Sequence, residues 1–228
     1  MLDSFLEEIP RFFTYYNGIF LLKAGARTIG LSALGCIIGF AIGFFLAILR
    51  TTRERSLLPV RLLSMNYVEF ARRVPFLVTL MLVFFICQAA DFKFSVFTVA
   101  TITICLIASG FIAEIVRAGI ESVNPTQWEA AEVLNFSMAQ KLRLVVIPQA
   151  WKVILPPAFS FFISFIKDTA LASQIGVIEL TYSGKVLNNK GFSPMLVFGT
   201  ILMMYFIISY PLARFGRWME GRLAISKH

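Results

Sequence analysis

Residues 28–49 read TIGLSALGCIIGFAIGFFLAIL, 22 residues from Thr28 to Leu49 with no Asp, Glu, Lys, Arg or His. As an α-helix rising 1.5 Å per residue, such a run covers about 33 Å, enough to cross the roughly 30 Å hydrocarbon core of a bilayer. Three more charge-free runs predict spans of the same kind: Val74 to Ala90 (17 residues), Phe94 to Ala113 (20 residues) and Phe192 to Ala213 (22 residues). A fifth region is interrupted. Val153 to Ile166 is apolar but contains Pro156-Pro157, and Lys167-Asp168 separate it from a second apolar run, Thr169 to Ile178. A prolyl break and two charges are tolerated at membrane depth where neighbouring helices or a watery cavity satisfy them, so this region reads as a broken span surrounded by protein. The fold class expected is an all-α membrane protein with about five transmembrane helices, organised as one domain over residues 1–228.

The composition agrees with that solvent. Hydrophobic residues make up 58% of the 228-residue chain and charged residues 15%. Globular proteins run at about 45–50% apolar and about 25% charged, so a disordered tail, a disulfide framework and an ordinary cytosolic enzyme are excluded. Cys36, Cys87 and Cys105 each lie inside an apolar run without paired spacing and read as small core residues. Within the first span Gly35, Gly39 and Gly43 recur every four residues, leaving one helix face open to close approach by another backbone.

The net charge of +8 has three possible meanings: nucleic acid, acidic partners, or the cytoplasmic face of a membrane protein. With the N-terminus outside, 14 Lys and Arg fall on inner segments, among them Arg50, Arg53, Arg55, Arg72 and Lys227, and 6 on outer ones. That split favours an outside N-terminus and a cytoplasmic C-terminus. The cations are dispersed over three membrane-proximal segments and form no nucleic-acid reading module. Asp3, Glu7 and Glu8 precede the first base, the wrong polarity for a cleaved signal peptide, so the first residues are expected to be kept. Residues 1–23 suit an interfacial helix on the outer leaflet or an extension of the first span.

Between the third and fourth spans the sequence ESVNPTQWEAAEVLNFSMAQKLRLVVIPQAW, residues 121–151, is neither strongly apolar nor plainly a loop. Asn124 with Pro125 and Gln127 forms a capping-box pattern that starts one helix, and Asn135 suits the left-handed turn that ends it. Ser137 and Gln140 repeat the pattern for a second helix, which Pro148 is expected to stop. Two short capped helices over 124–148 on the cytoplasmic side present a surface to a partner or form a plain structural loop.

Glu129-Ala130-Ala131, three residues, Asn135, nine residues, then Val145-x-Ile147-Pro148 resembles the EAA loop (E-A-A-x3-G-x9-I-x-L-P) of permease subunits of bacterial ATP-binding-cassette importers. Ala113-Glu114-Ile115-Val116-Arg117-Ala118-Gly119-Ile120, Pro148-Gln149-Ala150 and Lys167-Asp168-Thr169-Ala170-Leu171 are similar to the polar amino acid uptake branch, and the likeness extends over roughly residues 18–220. Asn135 replaces the glycine of the motif, a substitution the left-handed turn permits. Arg72-Arg73-Val74-Pro75 replaces a usual Arg-Gly-Thr-Pro, Gly110-Phe111 a common small-Tyr pair and Ala170 a common Ser, which bears on substrate preference.

The resemblance implies a MetI-like permease fold in a bacterial inner membrane, paired with a second permease of the same or a related sequence. It implies as partners two ATP-binding subunits that carry ATP and Mg²⁺, a periplasmic amino-acid-binding protein and the surrounding lipid. Glu129, Ala130, Ala131, Asn135 and Ser137 would couple the permease to the ATPase, unless Glu129 is only a solvated surface acid. This chain itself offers no phosphate cradle: Ser183-Gly184-Lys185-Val186 lacks the upstream glycine and the hydroxyl after Lys. Its only histidine, His228, assembles no catalytic or metal set, so no enzyme activity, cofactor or metal is expected here. Arg72, Glu114, Lys167, Asp168 and Thr169 are the candidates for a substrate path, because an amino acid brings one ammonium and one carboxylate. The alternative is that these charges pair with each other and hold the bundle; Glu114 and Arg117 stand at i, i+3. A different class, an ion-coupled secondary amino acid transporter, usually carries an internal repeat, and none is detectable.

Overall fold

The computed structural model describes residues 2–51 and 57–223, with side chains from Glu7 onward. Arg53, Arg55, Lys227 and His228, weighed above, lie outside the described residues. Every element among the described residues is helical: α1 (Leu2–Phe12), α2 (Tyr15–Thr51), α3 (Leu58–Arg73), α4 (Phe76–Ala89), α5 (Val96–Glu121), α6 (Pro125–Val133) and α7 (Met138–Gln140). A π-helical segment (Lys141–Val146), α8 (Ile147–Asp168), a 3-10 segment (Thr169–Ile175), α9 (Leu180–Asn189) and α10 (Pro194–Leu223) complete the chain.

Four helical stretches are long and apolar enough to cross a membrane, Tyr15–Thr51, Val96–Glu121, Met138–Ile175 and Pro194–Leu223, and α3 with α4 makes up to a fifth. Two expectations need correction. The run Val74 to Ala90 is not a clean span: α4 has 14 residues, about 21 Å of helix, too short for the hydrocarbon core by itself. Pro75 removes an N–H and pushes Val74 into extended backbone (φ −91°, ψ 135°), which ends α3 before α4 begins. Nor do Pro156-Pro157 break the fifth region. Both lie inside α8, which continues to Asp168. The irregularity falls at the charges instead, where the helix tightens to 3-10 over Thr169–Ile175 and closes on Gly176 in the left-handed conformation (φ 87°).

The chain forms two compact units. Unit 1 takes Met1–Leu34, Pro75–Thr103 and Ile163–Ala213. Its core gathers Phe12, Leu21, Leu180, Leu187, Leu196, Val197 and Ile201. The stretch 1–23 divides here: residues from Tyr15 belong to the first span, while α1 is a separate helix docked on this unit. Phe12 is buried edge-on against Phe192, and the Glu8 carboxylate accepts from Ser193 N at 2.9 Å, where a negative charge suits the start of α10.

Unit 2 takes Gly35–Val74, Ile104–Phe162 and Arg214–His228. The glycines at 35, 39 and 43 serve the expected purpose, with α5 of the same chain as the partner. A Cβ at Gly39 would lie 2.5 Å from Ala108 Cβ, and one at Gly43 would lie 2.6 Å from Ser109 O and 2.9 Å from Ala113 N. Only a residue without a side chain lets the two backbones pack this closely. Gly43→Ala therefore forces backbone apart and lowers stability by about 1–3 kcal/mol. Gly30→Ala, where an added Cβ meets nothing within 4 Å, leaves stability unchanged or slightly raised. The apparent thermal midpoints of the two variants in detergent check the difference.

Candidate functional site

The segment 124–150, within unit 2, is fixed at several independent points. Asn124 caps α6, its Oδ1 accepting from Thr126 N at 3.0 Å and from Thr126 Oγ1 at 2.9 Å, with Pro125 at the first helical position. Gln127 does not complete the expected box. Its side-chain oxygen accepts from Gln149 Nε2 at 3.1 Å and so ties α6 to α8. At the other end Asn135 is left-handed (φ 56°), Asn135 N donates to Glu132 O at 2.8 Å and Phe136 N to Ala131 O at 3.1 Å, the pair of bonds that closes a Schellman turn. Ser137 makes both arms of its capping box: Ser137 N donates to Gln140 Oε1 at 2.8 Å and Gln140 N to Ser137 Oγ at 3.4 Å. Lys141 Nζ reaches back to Glu132 Oε1 at 2.7 Å, and this bond holds the Glu132 carboxyl below its ordinary range.

Pro148 does not stop the second helix, contrary to the sequence expectation. Met138–Gln140 passes through the π-helical segment into α8 as one helical stretch to Ile175. The reason is local. In an α-helix the proline ring would collide with the carbonyl four residues back and leave it unbonded. The wider π turn, marked by Ile147 N donating to Leu142 O, shifts the bonding pattern just before the proline and accommodates it. Leu142, Val146, Ala150, Ile154 and Ala158, spaced by four, are all buried in one cluster with Ile112, Val116, Ile120 and Val123 of α5 and its end and with Ala47 of α2. Gly119 makes room for this spine; a Cβ there would lie 2.4 Å from Ile154 Cγ1.

Three large apolar side chains stand exposed on the hairpin among exposed polar ones such as Glu129, Glu132 and Arg143. Val133 is 82% exposed, Leu134 64% and Leu144 58%, although none lies among the four long apolar runs of the sequence. Glu129 and Ala130 stand exposed one turn before Val133 and Leu134 on the same side of α6, while Ala131 is buried. Of the five hairpin candidates, Glu129 and Ala130 face outward, Ala131 anchors the helix, and Asn135 and Ser137 shape the turn.

The path candidates fall into two sets. In unit 2, Glu114 of α5 is a hub: Arg50 of α2 reaches its Oε2 at 3.2 Å, Arg72 of α3 at 3.5 Å, and Arg117 donates to it through Nε at 3.1 Å. Arg117 also pairs with Glu121, and Arg73 with Glu69 at 2.8 Å. Beside the hub α3 and α5 touch closely, with the Tyr67 hydroxyl 2.8 Å from Leu106 O and 2.7 Å from Ser109 Oγ. In unit 1, Lys167 is exposed, Asp168 half-buried and Thr169 buried, its hydroxyl donating to Ile166 O at 2.8 Å. Among the described residues no group of His, Cys, Asp and Glu is placed to hold a metal ion.

Two participants escaped the sequence. Arg50 read only as an orientation cation, since nothing local pairs it with a carboxylate 64 residues away. Glu179 is fully buried in unit 1, accepting from Tyr182 N at 2.7 Å, Thr181 N at 2.9 Å and the Tyr205 hydroxyl at 2.8 Å. An acid just before a helix start was its available signal.

A family model for the inner membrane component of binding-protein-dependent transport systems matches residues 39–224. The L-cystine transport system permease protein of Bacillus subtilis (strain 168) is 34% identical over 197 residues, covering 86% of this chain and 83% of that protein. A probable amino-acid ABC transporter permease protein of the same organism is 32% identical over 206 residues, covering 90% and 89%. A solved structure described as an amino acid ABC transporter with histidines superposes with a TM-score of 0.84 at 28% identity, over 96% of this chain and 98% of that one. The methionine ABC transporter MetNI in an inward-facing conformation gives a TM-score of 0.79 at 19% identity, over 93% and 100%, a likeness of fold alone.

Because the Glu132 carboxyl is held below its ordinary range, its bond to Lys141 tightens the hairpin above the carboxylate range and is lost as pH falls through the depressed value. Hydrogen-exchange protection of the amides over 134–140, corrected for intrinsic rates, should fall by about two- to fivefold on acidification. Glu132→Gln should show the lower protection already at neutral pH.

Proposed function

The chain belongs to the family of binding-protein-dependent transport system inner membrane components, and from that membership we propose that it is the membrane-spanning subunit of an ATP-driven amino acid importer. Among its described residues it is all-helical, and it is a multi-pass member of the amino acid ABC transporter permeases, a transport subunit. Hydrolysis, with its ATP and Mg²⁺, belongs to two separate ATP-binding subunits docked on the cytoplasmic hairpin. A second permease, the same or a related chain, completes the path, and a periplasmic amino-acid-binding protein delivers the substrate. Family membership supports a bacterial inner-membrane location, and the distribution of Lys and Arg supports an outside N-terminus and an inside C-terminus. Residues 1–228 act as a single permease domain in this reading.

One observation carries the coupling role: a capped hairpin that leaves Val133, Leu134 and Leu144 exposed and is continuous through the π segment with a membrane-crossing helix. An exposed apolar patch outside the bilayer costs free energy unless a partner covers it. A partner seated there and pulling on Glu129 and its neighbours moves α8 with them. For the path, Lys167 and Asp168 are the stronger substrate candidates, because Arg72 and Glu114 are engaged with each other and with Arg50 and Arg117. The substrate class is an amino acid, which the relative named for L-cystine transport supports.

Glu129→Lys tests the coupling role. In vesicles holding the complete complex, the variant assembles and hydrolyses ATP, while uptake per ATP falls by about tenfold or more, a loss of at least about 1.4 kcal/mol of coupling. Uptake at the normal ratio rejects the assignment.

A further inference from the structure

The uncharged part of α10, Pro194 to Ala213, is about 20 residues, the length of one crossing. Helix α10 continues for nearly three more turns, to Leu223, and this extension belongs to unit 2. At 100° per residue, Arg214, Arg217, Trp218, Arg222 and Phe215 fall on one side of the extension and Glu220 falls off it. All five are exposed, Trp218 by 57% and Phe215 by 51%. No ion pair among the described residues engages any of the three arginines.

The face is also held in place. Phe215 packs on Phe159 of α8 with ring centroids 5.6 Å apart and on Trp218 at 5.6 Å, and the Arg222 guanidinium lies 5.5 Å from the Trp218 ring centroid. We propose that this basic and aromatic face is a binding site for the headgroups of anionic phospholipids. Three features select that occupant. The cations begin where the uncharged crossing ends, which is headgroup depth. The Trp218 indole favours that same layer, with an apolar body toward the acyl chains. Guanidinium groups bind phosphate oxygens through paired N–H donors, and three unpaired ones on one face offer positive charge that zwitterionic lipid does not need.

This inference is independent of the transport reading, since its test measures lipid and neither uptake nor ATP. Phosphatidylglycerol and phosphatidylcholine are titrated separately onto the full-length chain in detergent, and retained lipid is counted by native mass spectrometry. Phosphatidylglycerol should be retained in preference, more weakly as salt rises, and each of Arg214→Gln, Arg217→Gln and Arg222→Gln should weaken it by about fivefold. The single variants keep the test open if the triple variant does not fold. Lys185→Gln with Lys190→Gln, in unit 1, should change retention far less. Equal retention of the two lipids, or native phosphatidylglycerol affinity in the arginine variants, overturns the proposal. So does loss of a protein partner from the variants with lipid affinity unchanged.

Discussion

Pro148 has no N–H and cannot close an α-helical bond to Leu144, yet the helical stretch that begins at Met138 continues past it into the membrane. Much in unit 2 depends on how that conflict is resolved. The π segment widens the turn ahead of the proline, and the spine of Leu142, Val146, Ala150 and Ile154 keeps its register on α5 through the irregularity. A break at Pro148 would have left a loose loop beside a span. Instead, the Schellman turn at Asn135, the capping box at Ser137 and the Glu132–Lys141 bond all restrain the near end of a helix whose far end reaches Asp168. The hairpin and the span share one continuous helical stretch, Met138–Ile175.

The bilayer as solvent explains the remaining polar contacts. A carboxylate among apolar helices is costly unless its charge is balanced, and Glu114 is met by arginines from α2, α3 and its own helix. The same contacts bring three helices together where the glycine seam of α2 and α5 has already removed side chains from the interface. In unit 1 the buried Glu179 carboxylate is met by two backbone N–H groups and a tyrosine hydroxyl. Membrane packing supplies little hydrophobic drive between helices, so close backbone approach and paired polar groups carry more of the specificity.

Features whose cause is local were legible in the sequence. The helix-length uncharged runs, the left-handed Asn135, the Ser137 box and the four-residue glycine repeat all act over a turn or two, and each appears where its residues are. The misreadings share another cause. Proline at 148, 156 and 157 reads as a helix stop or break, yet the helix runs through all three: at 148 the π turn shifts the bonding pattern, and 156 and 157 lie within α8. Counting uncharged residues made Val74 to Ala90 a span, when extended backbone at Val74-Pro75 leaves only the 14 residues of α4 helical. Gln127 went to Gln149 rather than to its own cap, and Arg50 to Glu114, because both partners arrive only once the chain has folded.

The claim that hairpin and span move as one body can be measured directly. Spin labels at Ala139 and Ser160, both exposed and both in unit 2, report the distance across the π segment and Pro148. In the complete complex, cycled between nucleotide-free and ATP-bound states, the account predicts one narrow distance that does not change. A distance that shifts or broadens between those states would mean that the chain hinges at residues 141–148, and would contradict it.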